Sequence, residues 1–103
     1  MEITEITISI RDEDKLKAFV NVTFDDCFVV RGMKVIKGAS GYFVSMPSRK
    51  MSDGAYRDIA HPINNQFRAH IEREIMEEYK RILESEGLEV EDDVLKTIAT
   101  ISA

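Results

Sequence analysis

The first half of the chain alternates apolar and polar positions with the period of two that is typical of half-buried β-strands. A first strand is predicted around residues 6–10, and a charged cluster at residues 11–14 follows it. Asp25 and Asp26 then predict a tight turn at the end of a second strand. The predicted core-facing residues of that second strand, where the alternation is clearest, are Leu16, Ala18, Val20, Val22 and Phe24.

Two further strands are predicted before the middle of the chain. Residues 27–36 form one of them, and Gly32 within this run predicts a bulge or bend. Residues 37–41 predict a turn, and Pro47 must end the next strand, at residues 42–46, or leave it at a sheet edge. Because the links between these strands are short, antiparallel pairing is favoured, in a sheet of about four strands.

A long helix is predicted to follow the strands and to pack on the sheet. It begins near Pro62, with Asn64 as an alternative N-cap, and Gly87 is predicted to end it. Its apolar residues recur every four positions, which is the pattern of a helix with one buried face. They are Phe67, Ile71, Ile75 and Tyr79, joined by Ile82 and Leu83. The predicted fold class is therefore α+β.

Charge is unevenly distributed along the 103 residues, whose formal net charge is −5. Residues 1–30 carry three basic and seven acidic side chains, residues 31–81 carry ten and six, and residues 82–103 carry one and six. The basic middle segment suits an anionic partner, and chance unevenness on a solvated surface explains the numbers equally well. Ion pairs four residues apart on the helix are predicted to neutralise part of this charge. They are Arg68 with Glu72, Arg73 with Glu77, and Glu77 with Arg81.

Four basic residues lie in the segment 42–68, beside turn signals and the predicted helix start. They are Arg49, Lys50, Arg57 and Arg68. Residues 47–60 have few apolar positions and contain the turn signal Ser52-Asp53-Gly54, so an exposed loop is predicted there. A cationic loop against a helix start is a surface suited to phosphate groups.

A structural interpretation competes with phosphate binding at each of these positions. Arg49 and Lys50 could belong to a solvated turn, and Arg57 could pair with Asp58 to fix the loop, with Asn64 capping the helix. His61 could act as a catalytic base, but no Ser or Cys with a nucleophile signature accompanies it. A structural or capping role is therefore favoured for His61.

The sequence predicts no cofactor, no metal site and no enzymatic activity. His61 and His70 are nine residues apart, and neither HExxH nor a Cys/His zinc spacing is present. The glycines form neither a Walker loop nor a dinucleotide fingerprint. The single cysteine, Cys27, cannot form an intrachain disulfide, which indicates a reducing compartment, and it is predicted to be a core residue. Without a signal-peptide pattern or an apolar run of about 18 residues, a cytoplasmic location with no membrane contact is expected.

Several motifs in the basic segment resemble one known family. They are MPSRK at residues 46–50, the Asp53-Gly54 turn, and YRDIAHPIN at 56–64 followed by Arg68, with MEIT at the start and FVV at 28–30. Together they are similar to the SpoVG family, named after stage V sporulation protein G, a septation regulator. The similarity covers about residues 1–83, which we expect to form a SpoVG-like α+β domain. Residues 84–103 are expected to be an acidic C-terminal extension, either helical or mobile.

The resemblance implies a small bacterial homodimer that binds DNA and RNA and regulates gene expression, with links to septation and sporulation. By position, Arg49 and Lys50 match the basic pair of the family's loop, so the resemblance implies that they contact phosphates. Arg57 matches the Arg of the family's RDIAHPIN segment and Arg68 an Arg on its helix, with the same implied role. His70 stands where the family often has Lys.

Two other functions remain open from the sequence. In the first, the chain is a protein-interaction adaptor without direct nucleic-acid binding, whose acidic ends and sheet edge contact a protein partner; the net charge of −5 favours this somewhat. In the second, the chain is a small hydrolase that uses His61. A homodimer could also cover an exposed strand edge such as that of residues 42–46.

Overall fold

The computed structural model of the chain describes residues 1–103. Its elements, in chain order, are β1 (Ile3–Ile10), β2 (Leu16–Phe24), β3 (Phe28–Gly38), β4 (Gly41–Ser45), β5 (Ser48–Lys50), β6 (Tyr56–Asp58), α1 (Asn65–Ser85) and α2 (Asp92–Ser102). Strands β1 to β4 form an antiparallel sheet in sequence order, and β5 and β6 form a separate antiparallel hairpin. The α+β prediction is confirmed, with a hairpin where a loop was predicted and with a second helix after the first.

The sheet buries one of its faces against the helices. Val20 of β2 pairs with Ile8 of β1 and with Met33 of β3, so apolar residues of neighbouring strands share this face. The core residues are Ala18, Val20, Val22, Phe24, Met33, Val35, Tyr42, Val44, Met46, Ile71, Ile75, Met76, Tyr79, Leu83 and Val94. All of the helix residues in this set pack on the same side, so the opposite face of the sheet is left without a helix.

The predicted irregularity at Gly32 is a β-bulge. Two residues of β3, between Val30 and Met33, lie opposite the single residue of β2 between Val20 and Val22. Gly32 adopts a φ of 88°, which a residue without a Cβ reaches at little cost. The extra residue keeps the side chains of Val30 and Met33 both on the core side of the sheet.

Asn64, and not Pro62, is the N-cap of α1. The Asn64 side chain accepts a hydrogen bond from the backbone N–H of Phe67 at 2.7 Å, which satisfies one of the free N–H groups of the first turn. Helix α1 therefore begins at Asn65, so the start predicted near Pro62 is wrong and the alternative is confirmed. The prediction that Gly87 ends the helix is also confirmed, because Gly87 has a φ of 70° just after the C-cap.

The ion pairs predicted along α1 are not the ones that form. Arg81 pairs with Glu78 at 2.5 Å, and Lys80 pairs with Glu84 at 3.4 Å. On a helix surface, residues three apart are as close as residues four apart. Glu78 and Glu77 can therefore both reach Arg81, and Glu78 is the one that pairs with it. Arg68 takes part in no ion pair, and its charge is therefore not neutralised along the helix.

Cys27 does not lie in the core, contrary to the prediction. Asp25 and Asp26 both have positive φ, 51° and 54°, and lie in the three-residue turn, residues 25–27, between β2 and β3. The backbone N–H of Cys27 donates to the carbonyl of Phe24 at 3.0 Å and closes that turn. Because β3 begins only at Phe28, the thiol of Cys27 is exposed at the tip of a hairpin.

Helix α2 is tied to the sheet by its buried face and by its N-cap. Val94 is fully buried, and α2 packs against α1 and β4. The carboxylate of Glu91, the N-cap residue, accepts hydrogen bonds from Lys37 Nζ at 2.6 Å and from the Tyr42 hydroxyl at 2.5 Å. Thr97 Oγ1 donates to the carbonyl oxygen of Tyr42 at 3.3 Å. Neither helix is both long enough and apolar enough to cross a membrane.

We expect the substitution Glu91→Ala to destabilise the fold, because the hydroxyl of Tyr42, a buried residue, loses its acceptor in a part-buried hydrogen bond. An unsatisfied buried group costs about 1 to 3 kcal/mol, and urea unfolding monitored by circular dichroism measures it. Glu91→Gln, which keeps an acceptor for Tyr42 and loses the charge, should cost less. An equal loss in both variants would show that the hydrogen bond to Tyr42 is unimportant.

The same contact should make stability depend on pH. The hydrogen bond from Lys37, and then that from Tyr42, lower the pKa of Glu91 below its ordinary value of 4.5. A carboxylate with a lowered folded-state pKa stabilises the fold fully above its unfolded-state pKa and loses this contribution as pH falls through the folded-state value. The stability difference between wild type and Glu91→Gln should therefore shrink below about pH 4.5. A constant difference down to pH 3 would contradict this role of Glu91.

Candidate nucleic-acid interface

The hairpin of β5 and β6 carries three of the four predicted phosphate contacts. In its register, Arg49 lies directly opposite Arg57, and Lys50 lies opposite Tyr56. Directly opposed residues share a face of a β-hairpin, and successive residues alternate between faces. Arg49 and Arg57 therefore lie side by side, whereas Lys50 is on the other face together with Asp58.

The two arginines have no acidic partner. Every residue of β5 and β6 is exposed, and neither guanidinium group takes part in an ion pair. The structure therefore does not contain the ion pair between Arg57 and Asp58 that the structural interpretation required. Like charges directly opposite each other destabilise a strand pair, and an anion that bridges them would remove that repulsion.

The hairpin is fixed at both of its ends. At the tip, Asp53 Oδ1 accepts a hydrogen bond from the backbone N–H of Ala55 at 3.0 Å, and Gly54 has a φ of 88°. At the base, the backbone N–H of Ile59 donates to the carbonyl oxygen of Pro47 at 2.7 Å. The arginine pair is thus held by a defined turn and a closed base.

Arg68 lies apart from the arginine pair, at the start of α1. It is half-buried, and no hydrogen bond or ion pair connects it to the hairpin. Burial raises the pKa of Glu72, and the positive charge of Arg68 one turn away opposes this shift. The first turn of α1 contains no acidic residue, so its free N–H groups add to the positive charge there. The candidate interface thus has two cationic elements, the hairpin and the helix start.

His70 is engaged within the helix. The guanidinium group of Arg73 lies 3.2 Å from His70 Nδ1, and because a guanidinium can only donate, Nδ1 is the acceptor. The His70 ring also faces the ring of Phe67, with 6.0 Å between their centroids.

His61 lies at the rim of an apolar groove of about 520 Å³, between the hairpin base and the start of α1. The floor of the groove includes Phe24 and Ile71, and its rim includes Phe28 and Ile63. No Ser, Thr or Cys side chain lines it, so the geometry offers His61 no nucleophile. The sequence reasoning missed this groove, although Ile63, an apolar residue just before the helix, was a signal for it.

Known proteins that are similar to this chain share one name. A family model described as SpoVG matches residues 1–81. The chain is similar to a protein named "Putative septation protein SpoVG" from Bdellovibrio bacteriovorus, with 54% identity over 87 residues that cover 84% of this chain and 81% of that protein. A protein of the same name from Anaeromyxobacter sp. (strain Fw109-5) is 52% identical over 83 residues, which cover 81% of this chain and 86% of that protein. Another, from Myxococcus xanthus, is 51% identical over 83 residues, which cover 81% of this chain and 84% of that protein.

Proposed function

Since this chain belongs to the SpoVG family, we propose that it is a bacterial regulatory protein that binds DNA or RNA through their phosphate groups. The names of its relatives associate them with septation, and we extend that association to this chain. The proposed phosphate contacts are Arg49 and Arg57 on the hairpin, with Lys50 and Arg68 as further basic groups around them. The protein would act in the cytoplasm, without a cofactor.

The observation that carries this proposal is the direct opposition of Arg49 and Arg57 across the hairpin. Folding alone does not favour two unpaired cations at this register, because they repel each other. A phosphate group accepts hydrogen bonds from guanidinium groups in a bidentate manner and would neutralise the pair. The net charge of −5 does not prevent this, since the acidic residues are concentrated at the two ends of the chain.

Binding should therefore depend steeply on salt and weakly on sequence. Each phosphate contact on duplex DNA contributes roughly −0.9 to the slope of log affinity against log salt, so two to four contacts per chain predict a slope of roughly −2 to −4. Fluorescence anisotropy with mixed-sequence DNA and RNA at several salt concentrations measures this slope. Because phosphate contacts carry no sequence information, scrambled probes should bind about equally. Absence of binding even at low salt would contradict the proposal.

A protein-interaction adaptor is the second candidate function, and the apolar groove favours it. An exposed apolar concavity of this size is a common site of protein contact. Capture of a protein partner that survives nuclease treatment, together with no binding to DNA or RNA, would support the adaptor over the nucleic-acid-binding function.

We also propose that the chain is a homodimer and that the second copy covers the apolar groove. The rim residues Met1, Phe28 and Ile63 are 73%, 60% and 92% exposed, which is unfavourable for large apolar side chains unless another surface covers them. The groove also touches Met46 and Ala60, which flank the hairpin, so a dimer formed here would place both arginine pairs near the shared surface. The edge of β4, the other surface suggested by the sequence, is already partly covered by α2.

A further inference from the structure

The face of the sheet without a helix carries two phenylalanines, with Ile36 opposite Phe43 and Val29 opposite Thr23 as further apolar residues among the polar ones. Phe19 and Phe43 are 36% and 46% exposed, and neither belongs to the core. On the solvated face of an antiparallel sheet, alternation places polar residues. Two aromatic side chains on that face are therefore an exception to this alternation.

The strand register places a cation between these rings. Lys34 of β3 pairs with Phe19 of β2 on one side and with Ser45 of β4 on the other. Phe43 precedes Ser45 by two residues and therefore lies on the same face as it. Phe19, Lys34 and Phe43 thus form a diagonal line across three strands, which we call the aromatic stripe.

The Phe43 ring rests against the backbone of the neighbouring strand. Gly38 lies beneath it, since a Cβ at this position would lie 3.1 Å from Phe43 Cε1 and 3.5 Å from Phe43 Cδ1. A side chain at residue 38 would displace the ring. One part of the ring is thus supported by the strand, and the remainder faces solvent as a flat surface.

The charge around the stripe is positive along the strands. The guanidinium group of Arg11 lies 5.1 Å from the centre of the Phe19 ring, and Lys34 forms no ion pair. Acidic residues bound the surface at one end, in the turn at residues 12–14, and Glu5 of the neighbouring strand β1 lies opposite Thr23, four residues along β2 from Phe19. Aromatic rings interleaved with unpaired cations complement bases and phosphates, whereas an apolar protein surface would leave Lys34 unpaired.

We propose that the aromatic stripe binds the unpaired bases of single-stranded nucleic acid by stacking. One base stacks on Phe43, a second stacks on the Arg11 and Phe19 pair, and Lys34 contacts the phosphate between them. Aromatic side chains stack on any base, so this contact selects single strands over duplexes with little sequence preference. The inference rests on the proposed nucleic-acid binding, which it refines by naming single strands as the preferred substrate.

A tryptophan reporter tests the stacking directly. The chain has no Trp, so Phe43→Trp introduces a single indole on the stripe. Titration with a mixed-sequence single-stranded RNA of about 12 nucleotides should quench its fluorescence in a saturable manner. The matched control is Leu88→Trp, which places an exposed indole after α1 and should not be quenched. If the indole of the Phe43→Trp variant stays unquenched under conditions where anisotropy shows the RNA bound, the inference is overturned.

A second measurement compares affinities for single-stranded and duplex probes of one sequence. Phe43→Leu keeps an apolar side chain and removes the stacking surface, so it should weaken single-strand binding roughly 5- to 100-fold and leave duplex binding unchanged. Phe43→Tyr should retain the affinity of the wild type. A wild-type affinity in Phe43→Leu, or an equal loss on both probes, would overturn the stripe.

The failure of this inference and that of the proposed function give different results. If the variant Arg49→Ala/Arg57→Ala loses affinity for both probes and Phe43→Leu loses none, the hairpin is supported as a phosphate site and the stacking role of the aromatic stripe is overturned. If wild-type protein binds neither probe at low salt, the proposed function fails, and the stripe fails with it. Circular dichroism melting of each variant confirms that the comparison is made between folded proteins.

Discussion

Replacing Arg49 and Arg57 together by alanine is expected to remove most of the proposed affinity of this protein for nucleic acid. A hydrogen bond to a charged group contributes about 1.5 to 3 kcal/mol, so each lost phosphate contact should weaken binding by about tenfold or more. The salt slope should fall in magnitude by about one, because the phosphate that bridges the two arginines is no longer neutralised. Anisotropy titrations of wild type and variant at matched salt concentrations measure both changes.

Unlike the affinity, the stability of the hairpin is not expected to fall in this variant. Arg49 and Arg57 repel each other across the strands, so their removal should leave the free energy of unfolding unchanged or raise it slightly. The matched control, Lys80→Ala/Lys96→Ala, changes the net charge equally at positions on the two helices. If this control weakens binding as much as the arginine variant does, only net charge matters and the hairpin is not the binding site. The single variant Lys50→Ala, on the other face of β5, should have a smaller effect than Arg49→Ala.

The substitution Ile63→Asp is expected to dissociate the proposed homodimer. Ile63 is the most exposed large apolar residue of the chain and lies at the rim of the apolar groove. A carboxylate buried in an interface is poorly solvated, and loss of an interface anchor commonly costs about 2 to 4 kcal/mol, which corresponds to dimerisation roughly 30- to 1,000-fold weaker. Sedimentation equilibrium of wild type and variant over a range of concentrations measures the dissociation constant. As Ile63 is exposed in the single chain, the fold of the variant should be intact.

An equivalent change elsewhere on the surface separates the groove from a general charge effect. Leu88→Asp adds the same charge at an exposed apolar residue just beyond α1, and the dimer should persist in that variant. If Ile63→Asp remains dimeric, the groove is not the interface, and the edge of β4 becomes the surface to examine. A wild type that stays monomeric at high concentration would contradict the homodimer itself.

Local patterns were sufficient to predict most of the main sheet and α1. Strand β2 has an alternation long enough to identify its buried face from Ala18 to Phe24, whereas Leu16, beyond a register shift, lies outside the core. Asn64 and Gly87 have side-chain and backbone properties that mark helix ends regardless of context. Cys27 was misplaced because its apolar neighbours suggested a strand, whereas the two positive-φ aspartates before it extend the turn by one residue.

The geometry of the candidate site was less accessible from the sequence. Strands β5 and β6 are three residues long, fully exposed and without apolar alternation, so nothing in their composition distinguished them from a loop. Arg49 and Lys50 are adjacent in sequence, and the sequence alone therefore suggests one basic pair. In β5 they lie on opposite faces of the strand. The partner of Arg49 is Arg57, which the turn at residues 51–55 brings into register. The groove and the aromatic stripe are each formed by residues from several elements. Which of these residues become neighbours depends on the register between strands, and local sequence does not specify that register.

Helix α2 also covers part of a sheet edge through which chains could associate at high concentration. β4 is the last strand of the sheet, and an open strand edge is a template on which other chains can add strands and grow into aggregates. Thr97 donates a hydrogen bond to the carbonyl oxygen of Tyr42 at that edge. Glu91, through the Tyr42 hydroxyl, and the buried Val94 hold α2 against the sheet. The family model matches residues 1–81, so α2, which covers this edge, lies outside the matched region. In this chain, the C-terminal extension therefore leaves less of the β4 edge open to strand addition.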